Sequence, residues 1–219
     1  MDGGAGEVAG DVDDDSVSPG ELDGMYDAVP ARGTDVGFAL FDTVLGVCGI
    51  AWGTGGITGV QLPEESADEV RERLMAAQPG LPEADPPEPV RAAIGRIQAL
   101  LAGESADDLS DVAVDMSHLS GFLQRTYALT RTITPGHTLT YGQIAERLGS
   151  AGLARAVGRA MGANPFPIIV PCHRVLGADG SIGGFSAHGG ALTKRRMLLG
   201  EGVAEQEGPA LFGADELYG

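Results

Sequence analysis

The apolar positions change their rhythm along the chain. Between Val36 and Leu62 short apolar stretches alternate with Gly-rich turns, which predicts short β-strands. Ser66–Ala77 (SADEVRERLMAA) opens on a Ser cap and an acidic first turn, and its apolar spacing fits a helix. A Pro-rich linker, 80–89, precedes a second helix near Val90–Ala102, and Val112–Met116 reads as one more strand. From Ser120 helical spacing takes over: Phe122, Leu123, Tyr127, Leu129 and Ile133 share a face until Pro135-Gly136 stops the run. Thr140–Leu148 is a short helix capped by Thr140, 149–152 is a Gly-containing turn, and Leu153–Met161 is a second helix. Two short helices joined this way read as a helix-turn-helix, although any small helical domain contains such corners. No internal repeat is present. The fold class expected is α+β, an N-terminal α/β domain (31–118) followed by a mainly helical domain (119–204).

Composition adds limits. At 219 residues the chain is long enough to bury a sizeable core. No apolar run approaches the roughly 18 residues of a membrane span. Met1–Gly20 lacks the basic and apolar regions of a secretory signal. Two cysteines, Cys48 and Cys172, exclude a disulfide scaffold, and the four histidines show no zinc-finger spacing with them. A reducing cytoplasm is the expected compartment, with no metal and no membrane partner; Cys48 reads as a buried strand residue.

Charge changes the picture more. The net charge is −17, and 13 of the 14 bases are arginine, Lys194 being the exception. Between residues 121 and 202 nine bases face three acids, a net +6, while the remainder carries 28 acids and five bases, a net −23. A polyanion would repel nucleic acid as a whole, but this basic stretch would not. Residues 1–30, with nine acids and no base, read as a disordered tail, and 205–219 as an acidic C-terminal tail. Scarce lysine and acids spread over several segments favour a salt-adapted, halophilic surface over an interaction tail. In molar salt the screening length falls to about 3 Å, so surface acids would hardly repel DNA.

The chemistry concentrates in Asn164-Pro-Phe-Pro-Ile-Ile-Val-Pro-Cys-His-Arg-Val175. Pro165, Pro167 and Pro171 forbid a helix, and Ile168–Val170 reads as a buried β-like run that delivers Cys172 to a fixed place. His173 and Arg174 follow, both able to lower a thiol pKa or take its proton. A lone buried cysteine is usually a small hydrophobe; the Pro-framed surroundings argue otherwise.

This run resembles the active-site signature of the methylated-DNA–protein-cysteine methyltransferases, the O6-alkylguanine-DNA alkyltransferases. PCHRV is that family's hallmark, and TYGQIA (140–145), RAVGRAM (155–161), Asn164, GGFS (183–186) and KRRMLLGEG (194–202) follow in its order. The resemblance is strong over about 120–203, faint over 36–118 and absent from the tail. It implies that Cys172 accepts the alkyl group, that His173 acts through a water as base, and that Glu201 orients the imidazole as in a catalytic triad. On residues alone Glu201 could equally be a solvated helix-end acid. Asn164 would hold the active-site turn. Arg155 would enter the space vacated by a flipped nucleotide, and Tyr141 would help rotate it. Ala156 and Gly158 would allow close approach to the minor groove. Val175, Phe185 and Ser186, with Tyr141, would line the base pocket. The partner implied is double-stranded DNA containing O6-alkylguanine, met by a monomer in a single-turnover transfer without cofactor.

Phe185 stands where some relatives have tyrosine, and the loop at Ala187-His188 is longer than in some. Three other readings remain. A non-reacting damage sensor would lack the acceptor cysteine. A helix-turn-helix regulator leaves the His173–Glu201 pairing idle, and a Cys-His hydrolase leaves Arg155 idle.

Overall fold

The computed structural model describes residues 36–182 and 189–203. Strands β1 (Gly37–Thr43), β2 (Gly46–Gly53) and β3 (Gly56–Gln61) form an antiparallel meander in the order β1-β2-β3. Two-residue loops join them, and Gly56 (φ +120°) is required where the chain turns, because a Cβ there would sit 2.7 Å from the Ala113 carbonyl oxygen. Helix α1 (Ala67–Ala77) is capped by Ser66, whose hydroxyl accepts the Glu69 N–H. Helix α2 (Glu88–Leu101) starts behind Pro87 and buries Val90, Ala93, Ile97 and Leu100 at helical spacing.

Both edges of the sheet are covered, which removes exposed pairing sites. On β1, Phe38 N–H donates to Pro82 O and Phe38 O accepts from Ala84. On β3, Ile57 bonds to Ala113 and Asp115, and the Val60 N–H donates to Pro165 O at 2.8 Å. The strand expected over Val112–Met116 is therefore reduced to a single bridge at Val114. The Asp115 carboxylate accepts from the Ser117 N–H and hydroxyl, turning the chain away at once.

Helix α3 (Gly121–Thr130) is capped by Ser120. Its C-cap residue, Arg131, donates through Nη2 to the carbonyls of Leu109, Ser110 and Val112, fastening the preceding loop. Helix α4 (Tyr141–Arg147) begins with a full capping box: Thr140 accepts from Gln143 N–H, and the Gln143 side chain accepts from Thr140 N–H. A short 3-10 turn (Ala151–Leu153) leads into α5 (Ala154–Gly162). Tyr127, fully buried in α3, donates its hydroxyl to Ala160 O of α5 at 2.9 Å. Two-residue strands β4 (Leu139–Thr140) and β5 (Val175–Leu176) pair in parallel, and α6 (Ala191–Gly200) follows. One apolar core runs from Ile50 and Trp52 of the sheet through Ile97, Tyr127, Ile144 and Val157 to Cys172. Among the described residues no helix is long and apolar enough to cross a membrane. The expected tails, 1–30 and 205–219, lie outside the described residues.

Candidate active site and nucleic-acid interface

Ile168–Val170 is a turn, not the β-like run its composition suggests. Ile168 takes φ +76°, a rare conformation for a β-branched residue, and Val170 N–H closes back on Phe166 O at 2.7 Å. Pro171 (φ −78°, ψ 65°) centres an inverse γ-turn in which Cys172 N–H donates to Val170 O at 2.8 Å. Asn164 spans the whole turn: its Nδ2 donates to Val170 O at 2.9 Å, and its Oδ1 accepts Phe166 N–H at 3.0 Å. Cys172 then opens a short 3-10 turn, Cys172–Arg174, with its side chain buried.

That turn stacks two neighbours onto one carboxylate. His173 Nε2 lies 2.9 Å from Glu201 Oε1, while Arg174 donates through Nε to Oε2 (2.9 Å) and Nη2 to Oε1 (2.7 Å). Arg174 Nη1 also donates to Ile133 O. His173 and Arg174 are fully buried and the Glu201 side chain is 4% exposed. Glu201 is the C-cap residue of α6, a place where the helix dipole disfavours an anion, so its position is set by these partners. Burial raises the Glu201 pKa, but hydrogen bonds from His173 and Arg174 and the charge of Arg174 outweigh it and hold the carboxyl at about 2. A carboxylate can only accept, so the His173 proton belongs on Nε2 and Nδ1 carries the lone pair. Nδ1 is buried with no hydrogen-bond partner among the described residues. Burial, opposed by Glu201, lowers the His173 pKa and keeps the ring neutral.

Arg174 therefore serves Glu201, and the cation that acts on the thiol is Lys194. Burial pushes the Cys172 thiol up, while a hydrogen bond from Asn164 and the charge of Lys194 oppose it. Lys194 is 1% exposed on α6, donates to Val175 O at 2.7 Å, and stands 5.9 Å over the ring of half-buried Tyr141. It has no carboxylate partner among the described residues. Burial lowers the pKa of Lys194 as well, and a charge on Cys172 would raise it. The sequence carried a signal for this, since a chain that uses arginine everywhere else keeps one lysine here, where a compact point charge is needed. Lys194→Met is expected to slow iodoacetamide labelling of Cys172 at neutral pH by about tenfold, one pKa unit. Cys48, pushed up to about 12 by burial, is the unreactive internal reference.

On the adjoining surface Arg155 is exposed at the start of α5, with Ala156 and Gly158 partly buried beside it. Arg147, Arg155 and Arg159 are exposed and form no ion pair among the described residues. In the acidic part, by contrast, Arg71, Arg73, Arg91 and Arg96 are each paired with a carboxylate. Val175 is fully buried, its carbonyl shared with Lys194. Phe185 and Ser186, expected in the base pocket, lie outside the described residues.

With this geometry in view, the comparisons with known proteins converge. The family described as 6-O-methylguanine DNA methyltransferase, DNA binding domain, matches residues 121–203. A methylated-DNA–protein-cysteine methyltransferase of Mycobacterium tuberculosis is 44% identical over 107 residues, 49% of this chain and 61% of that protein. The chain thus spans about three-fifths of the length of the mycobacterial relatives it matches. The relative of the same name from Methanothermobacter thermautotrophicus is 32% identical over 157 residues, 71% of this chain and 80% of that one. Among solved structures, Mycobacterium tuberculosis OGT in complex with DNA superposes with a TM-score of 0.60 at 33% identity, covering 76% of this chain and 92% of that one. An archaeal O6-methylguanine-DNA methyltransferase from Pyrococcus kodakaraensis does so at 0.58 and 26% identity, covering 76% and 99%. Because the Methanothermobacter relative is matched over four-fifths of its length, the likeness takes in part of the N-terminal half as well as the Cys172 loop, and the chain belongs to the methylated-DNA–protein-cysteine methyltransferase family.

Proposed function

We propose that the protein repairs DNA by taking the alkyl group of O6-alkylguanine onto Cys172, once per molecule. The observation that carries this is the buried array in which Glu201 fixes His173, the residue that follows Cys172, and leaves its Nδ1 without a hydrogen-bond partner among the described residues, able to take a proton. In the proposed step the thiol proton passes to His173 through a water. The sulfur then attacks the alkyl carbon; a C–S bond forms as the C–O6 bond breaks, and the proton returns to the departing guanine. A thioether is a poor leaving group, so the protein is spent.

The target atom is inside a duplex, and reaching it requires flipping the nucleotide out. Arg155 would fill the gap in the stack, Tyr141 would guide the base, and Ala156 and Gly158 would bring α5 close to the minor groove. Residues 31–118 would form the α/β part and 119–204 the DNA-binding and catalytic part, in a cytoplasmic monomer. Support for the DNA-facing surface comes from Gly158: a Cβ there would meet nothing within 4 Å, so the fold itself does not call for glycine. Gly158→Ala is expected to stabilise the protein by about 0.5–1 kcal/mol while weakening binding to duplex DNA several-fold. Gly95→Ala, equally open in α2, should stabilise without touching DNA binding. Thermal melts and fluorescence anisotropy on both variants check the opposite signs.

The test of the function is direct. The protein is incubated with duplex DNA containing one O6-methylguanine, in molar potassium chloride to suit the salt-adapted surface. Mass spectrometry should then find one methyl on the Cys172 peptide and plain guanine in the DNA. Tight binding without added mass would make it a damage sensor instead.

A further inference from the structure

We propose that the outer edge of β3 is the seat of the active-site turn, with the main-chain N–H of Val60 as a positioning group for Cys172; this rests on Cys172 being the alkyl acceptor. Ile50 of β2 stands opposite Val60, and the Val60 N–H points away from β2 to Pro165 O, 2.8 Å off. Pro165 links Asn164 to the turn that its side chain ties together: Asn164 Oδ1 holds Phe166 N–H, and Nδ2 holds Val170 O. Val170 O in turn accepts Cys172 N–H. The path from the sheet thus runs by a hydrogen bond to Pro165, across the peptide bond to Asn164, and by two further hydrogen bonds through Val170 O to the backbone of the reacting residue.

The strand is shaped for this approach. A Cβ on Gly59 would come within 2.4 Å of Gln78 Nε2 and 3.7 Å of Pro165 O. The Gln78 side chain cannot easily retreat, because its Oε1 accepts the Thr58 hydroxyl at 2.6 Å in a buried pair. The other end of the array is braced from the same half of the chain. The C-terminal ends of α2 and α6 lie together, so that a Cβ on Gly103 would stand 3.2 Å from Gly200 O, next to Glu201. The N-terminal half therefore holds the thiol side through β3 and the carboxylate side through α2. Ile168 is kept in its left-handed conformation by surroundings that over-determine it, and the β3 edge holds the start of the same loop at Pro165 O.

Val60→Pro tests the bond, since a proline whose missing N–H faces away from the partner strand is tolerated at a sheet edge. Val60→Ala is the companion, which loses more side-chain packing but keeps the N–H. Against Val60→Ala, Val60→Pro should transfer methyl from O6-methylguanine duplex at least about tenfold more slowly. Its pH profile for iodoacetamide labelling of Cys172 should shift upward, while affinity for the duplex stays the same. Equal rates and equal pH profiles in the two folded variants would overturn the proposal. Should Val60→Pro not fold, amide hydrogen exchange in the unaltered protein decides: the Val60 amide should be protected like the core, and exchange as fast as an open edge would refute the seat. If the unaltered protein transfers no alkyl group at all, the functional reading fails, and the labelling profiles still settle whether β3 positions Cys172.

Discussion

Cys172→Ala is expected to abolish alkyl transfer completely while leaving recognition of alkylated duplex within about threefold of the original. The side chain is buried, and neither the turn nor the ion-paired array depends on its sulfur: the turn is closed by main-chain bonds and by Asn164, the array by Glu201. Removing one sulfur from a packed site leaves a small cavity, worth about 1 kcal/mol, so the variant should fold. No other group can take over. Cys48 is fully buried in β2, and its thiol is pushed up to about 12, which leaves essentially no thiolate at neutral pH. Intact-mass measurement after incubation with O6-methylguanine DNA provides the check. A methyl group appearing on the Cys172→Ala protein would remove Cys172 as acceptor.

Glu201→Gln should harm both stability and chemistry. Arg174 is fully buried with two of its nitrogens on this carboxylate, and taking away one partner of a buried ion pair typically costs about 3–5 kcal/mol. That corresponds to a melting temperature lower by about 10 °C for a domain of this size. An amide can also donate to His173, which favours the wrong tautomer, and a fall in transfer rate of at least about a hundredfold is expected.

The same residue sets an acid limit. Glu201 is held at about 2 against an ordinary value of 4.5, so its contribution, on the order of 3 kcal/mol, is complete above pH 4.5 and lost as pH falls toward 2. His173 acts in the same direction. Its folded pKa is lowered, so below its ordinary value of 6.5 the unfolded chain takes up a proton that the folded one refuses. Denaturant melts should show stability falling steadily from pH 6.5 to pH 2, with the lower part of the slope missing in Glu201→Gln. A flat profile together with an unchanged melting temperature would return Glu201 to the role of a solvated helix-end acid.

What could be read from residues follows where the determinants are local. Thr140 with Gln143, and Ser66 ahead of an acidic turn, cap helices by contacts three residues apart, and such contacts are written in the sequence. Cys172, His173, Glu201 and Asn164 could be named because they stand in a dense signature. Ile168-Ile169-Val170 misled, because three consecutive apolar residues carry the composition of a strand. The left-handed Ile168 is imposed by Asn164 and by packing, against local preference. Val112–Met116 misled in a milder way, having strand composition but only one residue's worth of edge to cover. Arg174 is near the thiol in sequence but is spent on Glu201, while the charge that opposes burial of the thiol comes from Lys194, 22 positions beyond Cys172. The Val60–Pro165 bond could not have been found at all. It joins two main-chain groups 105 residues apart, and a backbone amide has no side-chain signature.

The burial of Lys194 has a practical corollary. An endoprotease specific for lysine has one peptide bond to cut in this chain, after Lys194, and in the native fold that side chain is 1% exposed between Val175 O and the Tyr141 ring. Cleavage must wait for α6 to come away from the active-site wall, so the appearance of two fragments is a clock for local opening there. Run with intact DNA, with alkylated DNA and with the spent protein, the same digestion would time how firmly that wall stays shut in each state.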